Sequence, residues 1–194
     1  MQDNSDLKAV IGATDLQRQG SGSISTGISW WKTNPGFDET DKATTSSDIE
    51  AKFFDIAIAK LSKDVSLVSA CLPTNNNADF ANCFAVGWGA TELSSSSGSN
   101  FLMELQMEVK DSSKVCDVPN ERMCAVGKTK QSGTCKGDSG GGLYCESNGK
   151  WTVFGVLSEG SICTDKENDR ASVFTSVSLF RSWINAVINS ENRN

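Results

Sequence analysis

The run Cys135-Lys136-Gly137-Asp138-Ser139-Gly140-Gly141 holds the residues best suited to chemistry. A serine that attacks a carbonyl must sit on a tight turn that presents its hydroxyl. Backbone N–H groups must point at the oxygen that gathers negative charge. Glycine on each side permits positive φ and lets the backbone approach a substrate closely. A cysteine ahead of the turn can staple it. The chemistry of such a loop is acyl transfer through a serine nucleophile. A plain glycine-rich surface turn gives the same Gly-x-Ser-Gly pattern, and on these residues alone the two readings stand level.

The elements that must hold this loop read as mostly β. Met103, Leu105, Met107 and Val109 alternate with Glu104, Gln106 and Glu108, the period of a half-buried strand. Ile24, Ile28 and Trp30 share one face of another strand, with Thr26 between them. Residues 53–61, 84–88, 151–157 and 173–177 also read as strands. Gly, Ser, Asn and Asp clusters separate them, as in sandwiches and barrels. Residues 73–77 and 94–100 read as polar surface loops. Only the end of the chain has helical spacing: Phe180, Trp183, Ile184, Val187 and Ile188 recur every three or four residues.

Composition narrows the class. With 38% hydrophobic and 22% charged residues, 194 residues can bury a core, as one large domain or two packed halves. The net charge is −6 and no Lys/Arg run is long enough to follow a phosphate backbone, which argues against nucleic acid as a partner. No apolar stretch approaches bilayer length, so no membrane partner is expected. Residues 1–6 are polar and acidic, unlike a signal peptide. Either the chain is cytoplasmic or a leader lies upstream. Seven cysteines favour the second reading and a secreted, extracellular protein. There is no histidine and no Cys-x-x-Cys pair, so no metal and no cofactor are expected. An odd cysteine count leaves at least one thiol without a partner in the chain.

Beyond these local readings, the run CKGDSGGGLYC resembles the active-site signature of the trypsin-like serine endopeptidases. Further runs are similar to that family and come in its order. They are CFAVGWGAT (83–91), FDIAIAKL (54–61), WKTNPGF (31–37, with Asn34 where histidine is usual), 153–160, and Val173-Phe174-Thr175 before the terminal helix. The matching runs extend from about Lys8 to Ile188. The resemblance implies an all-β fold of two six-stranded antiparallel barrels of the chymotrypsin type, the first incomplete, with a short C-terminal helix. Residues 1–80 would form the partial first barrel, and 81–194 the second barrel and helix.

It also implies roles. Ser139 would be the nucleophile. Asp55 would orient the base and stabilise its charged form. The N–H groups of Gly137 and Ser139 would form the oxyanion hole. Asp138 would pair with a freshly cleaved amino terminus. Disulfides Cys83–Cys145, Cys116–Cys124 and Cys135–Cys163 would leave Cys71 unpaired, for a missing N-terminal segment or propeptide. The substrate pocket would comprise Gly133 at its floor with Thr134, Lys136, Ser158, Gly160 and Ser172. An uncharged floor at Gly133 points to neutral, apolar residues at the cleavage position rather than basic ones. Lys136, at the pocket lip, would favour acidic residues nearby in the substrate, against the commoner reading of Lys136 and Glu159 as solvated surface charges. Glu159 stands where the family usually has tryptophan, and Gly142 and Ala171 where it usually has proline.

What the family carries before its first matching run is absent here: the activated amino terminus and the segment with the catalytic histidine. Loss of that histidine from a triad costs about 10⁶-fold in kcat, about 8 kcal/mol of barrier. The sequence therefore reads as a serine endopeptidase in its complete parent, inactive as this chain alone. A non-catalytic homologue used for binding or regulation is the alternative. Peptide or protein substrates are the expected partners, with a protein inhibitor as a further partner.

Overall fold

The computed structural model describes residues 7–18, 22–37, 54–74, 80–92, 95, 97–119, 121–129, 132–160 and 171–191. These fall in two compact units. One is drawn from Met1–Ser69 and Asn100–Leu102, the other from Ala70–Ser99 and Met103–Asn194.

The first unit is an antiparallel sheet in the order β1 (Lys8–Ile11), β2 (Ile24–Thr33) and β3 (Ala57–Leu61). Its register sets Val10 opposite Ser25 and Trp31 opposite Ala59, with an irregularity between Ile28 and Trp30. Thr26 is buried, on the face that also carries Ile24 and Ile28. The strand expected over 53–61 begins only at Ala57. Phe54–Ile56 instead makes a tight turn, in which the Ile56 N–H donates to the Phe54 carbonyl at 2.7 Å. The Ile56 carbonyl is in turn taken by the Asn34 N–H at 2.9 Å, so the ladder to β2 starts one residue later, at Thr33 opposite Ala57. The Asn34 side chain accepts from the Gly36 N–H at 3.0 Å, the local bond that makes asparagine a turn former.

The second unit is a closed antiparallel barrel. Its strands are β4 (Cys83–Gly87), β5 (Met103–Lys110), β6 (Arg122–Gly127), β7 (Gly142–Ser147), β8 (Lys150–Glu159) and β9 (Ser172–Ser176). They run in the order β4-β5-β6-β9-β8-β7, and β7 pairs back onto β4. Alternate residues point inward: Ala85, Met107, Met123, Ala125, Leu143, Phe154, Leu157 and Phe174 fill the interior. Asn148 and Gly149 join β7 to β8 with φ of 52° and 70°, a two-residue turn whose twist matches the strands it connects.

Disulfides reinforce this barrel. Cys83 and Cys145 face each other across β4 and β7 and are bonded. Cys116 is bonded to Cys124 of β6. A one-turn helix, α1 (Ser112–Val115), precedes Cys116 and is capped by the Asp111 carboxylate. The chain ends in α2 (Val177–Glu191), which buries Val177, Phe180, Ile184 and Val187. Trp183 is only half-buried and Ile188 is exposed, so the apolar stripe is narrower than the spacing predicted. One residue past Val187 turns a further ~100° around the helix and leaves the buried face. Arg181 of α2 donates to the carbonyls of Leu72 and Pro73, and Pro73 is fully buried although it opens a polar run. Cys71 adds one parallel bridge beside Thr152 of β8, and its thiol is free. Among the described residues, no helix is long and apolar enough to cross a membrane.

The architecture is thus mostly β, with one closed six-stranded barrel, a second sheet and a C-terminal helix: the chymotrypsin fold.

Candidate active site

Ser139 lies on the loop between β6 and β7, and backbone bonds hold that loop on both sides. The Gly140 N–H donates to the Leu157 carbonyl at 2.9 Å, and the Leu157 N–H returns a bond to the Gly141 carbonyl at 2.8 Å. On the other side, the Ala90 N–H donates to the Lys136 carbonyl at 2.8 Å. Gly137 and Gly140 adopt φ of 96° and 81°, which L side chains rarely tolerate. Ser139 is therefore exposed at the apex of a turn whose flanks are fixed. Among the described residues nothing accepts from the N–H groups of Gly137 and Ser139. Two unused donors beside an exposed hydroxyl can stabilise an oxyanion.

Asp138 locks the loop from inside. One carboxylate oxygen accepts the Gly89 N–H at 2.8 Å, and the other accepts the Cys135 N–H at 2.9 Å. The carboxylate lies so close to Gly87 and Gly89 that a β-carbon at either position would collide with it. The two glycines of the Gly-Trp-Gly turn thus form the cradle for this aspartate. Sequence reasoning had read that turn only as a resemblance, because its reason is a contact with a residue some fifty positions away. Cys135 is disulfide-bonded and buried, while Cys163 lies outside the described residues.

The pocket residues named from the sequence lie in the same unit. Thr134 and Ser172 are buried, with their hydroxyls 2.8 Å apart. Gly160 faces them: a β-carbon there would stand 3.1 Å from Thr134 Oγ1. Gly133 and Lys136 are exposed. Ser158 Oγ accepts from Arg122 Nη2 at 3.0 Å. Asp55 belongs to the other unit, half-buried in the turn before β3.

Glu159 keeps the surface exposure expected of it, with its side chain 38% exposed, but it is paired rather than merely solvated. Its Oε1 pairs with Arg122 Nη1 at 2.7 Å, and the Arg122 side chain is 2% exposed. A buried guanidinium requires such a partner, which explains the departure. Arg122 itself was missed. The signal available was a charged residue opening the otherwise apolar run Arg122-Met123-Cys124-Ala125-Val126.

A closed antiparallel barrel that presents Ser139 on a glycine-flanked, aspartate-locked loop fits the fold class of the serine proteases. The comparisons with known proteins agree. The family model described as Trypsin matches residues 1–184. Chymotrypsin-like elastase family member 1 from Homo sapiens is 37% identical over 158 residues, 75% of this chain and 60% of that protein. The protein of the same name from Rattus norvegicus is 35% identical over 161 residues, 75% of this chain and 59% of that protein. The chain belongs to the trypsin family, and it spans about 60% of the length of the curated relatives it matches.

Proposed function

We propose that the whole protein is a secreted serine endopeptidase acting by acyl transfer. Ser139 attacks the peptide carbonyl, and the N–H groups of Gly137 and Ser139 receive the oxyanion. Asp55 orients the histidine base and stabilises its charged form. Asp138 shapes the loop, and each of its oxygens keeps a lone pair with which a cleaved amino terminus can bond. Thr134 and Ser172 line a pocket without charge, which favours a neutral, apolar side chain at the cleavage position. The partners are peptide or protein substrates, and Cys71 serves to hold a propeptide. The observation that carries this reading is the exposed Ser139 beside two backbone donors that have no acceptor among the described residues.

The 194 residues contain no histidine, so this chain alone lacks the group that removes the serine proton and is inert. The test is labelling by a fluorophosphonate together with peptide hydrolysis. This chain should label about 10⁶-fold more slowly than the histidine-bearing whole enzyme, and Ser139→Ala should abolish labelling in both. Rapid labelling of this chain alone overturns its inertness. The missing base also favours a second reading, a binding or regulatory module. A whole protein that binds peptides but never acylates Ser139 establishes that reading instead.

A further inference from the structure

Strand β3 ends at Leu61, and Ser62 closes it with a bond from its N–H to the Gly27 carbonyl at 2.9 Å. The next residue held is Cys71. Its N–H donates to the Trp151 carbonyl at 2.9 Å, and its carbonyl accepts from the Val153 N–H at 3.0 Å. Arg181 of α2 then clamps the carbonyls of Leu72 and Pro73. Between these anchors, residues 63–70 belong to no strand or helix. Among the described residues no backbone hydrogen bond reaches them. All but Val65 are exposed, Leu67 at 51% and Val68 fully.

An extended peptide is recognised through its main-chain N–H and C=O groups, with pockets for alternate side chains. A segment already paired in a ladder must open before it can be taken that way, at the cost of local unfolding. Strand β3 is such a segment, paired along β2 from Ala57 to Leu61. Residues 63–70 have no ladder to give up. Nicking concentrates in exposed segments with small residues, and Ser66, Ser69 and Ala70 are small. The pair Leu67-Val68 puts neutral, apolar side chains in the middle of that stretch.

We propose that this strap is a site of limited proteolysis, cut after Leu67 or Val68 by a peptidase that takes a neutral, apolar residue. Water adds across the peptide bond, leaving a carboxylate on Leu67 or Val68 and a free amine on the residue that follows. All seven cysteines lie at Cys71 or beyond, so no disulfide of this chain crosses the cut. The cut therefore ends the covalent link between Asp55 and Ser139. What the severed segment keeps is noncovalent, including the bonds that join Thr14 and Leu16 to residues 102 and 100. The whole enzyme proposed above is one such peptidase. That a second copy makes this cut rests on that reading, and the openness of the strap does not.

The test incubates this chain with a trace of a purified elastase and reads the new amino termini by mass spectrometry. A product that begins at Val68 or Ser69 should form, and it should part from residues 1–67 on a denaturing gel without reductant. Leu67→Asp/Val68→Asp alters solvent-facing side chains and should leave the denaturant midpoint of the barrel unchanged. It should slow this cut at least about tenfold, because an apolar pocket refuses a charge. The absence of any cut between residues 66 and 70 overturns the proposal, and so does a cut that the double variant leaves unslowed. The unaltered whole enzyme should make the same cut in this chain. If it cleaves other peptides but spares the strap, self-cleavage is overturned. If it cleaves nothing while the elastase cuts as expected, the peptidase reading falls and the strap stands.

Discussion

The barrel and the three-stranded sheet are both antiparallel, yet they stand differently. The barrel returns β7 onto β4, so each of its six strands has a neighbour on both sides. It encloses one apolar interior and carries the Cys83–Cys145 and Cys116–Cys124 bonds. In the sheet, β2 alone is paired on both sides among the described residues, and the outer strands are largely half-buried or exposed. Closure allows a strand to bury one face completely and still satisfy its backbone. The Ser139 loop belongs to the closed unit, while Asp55 sits in a turn of the open one.

Four measurements would break or sharpen that contrast. The largest effect is expected from replacing Cys83 and Cys145 together by alanine. The bond spans 62 residues, and losing it should destabilise the barrel by about 4 kcal/mol through loop closure, read from its denaturant midpoint. A change below ~1 kcal/mol would mean the barrel does not depend on this staple.

Next comes a paired truncation. Leu143 is fully buried in the barrel, and Leu143→Ala should cost about 3 kcal/mol. Ile58 of β3 is half-buried, and Ile58→Ala should cost under about 1 kcal/mol. Equal costs would erase the distinction between the two units.

A smaller effect tests the cradle. Gly89→Ala should cost about 1–3 kcal/mol, because the added carbon must displace the Asp138 carboxylate. It should also slow acylation of Ser139 in the whole enzyme. Stability and acylation both unchanged would show that the loop does not need this contact.

The smallest effect is a pH dependence at α1. The Ser113 hydroxyl, at 2.7 Å, and then Lys114, at 3.0 Å, hold the Asp111 carboxyl below the usual carboxylate range. A folded-state pKa that is depressed contributes stability above the unfolded value and loses it as pH falls through the folded one. The stability difference between the natural chain and Asp111→Asn should therefore be present at neutral pH and close in acid. A difference that persists at low pH would assign the effect to the cap geometry rather than the charge.

Much of the architecture was legible in the residues. The alternation over 103–109 and the helical spacing from Phe180 are local patterns that backbone geometry obliges. The order of the family's runs was legible too, and it carried the fold class. The start of β3 was not. Phe54-Asp55-Ile56 has strand-like residues, but the Ile56 N–H closes on the Phe54 carbonyl and turns the chain there.

By itself, then, the sequence determined the family, the mostly β class and the absence of a histidine, because motif order and composition need no coordinates. Only the tertiary structure decided that Gly87 and Gly89 cradle Asp138, and that Glu159 answers a buried Arg122. Both are meetings of residues far apart in the chain, where steric exclusion and the cost of burying a charge act on neighbours that no local pattern names.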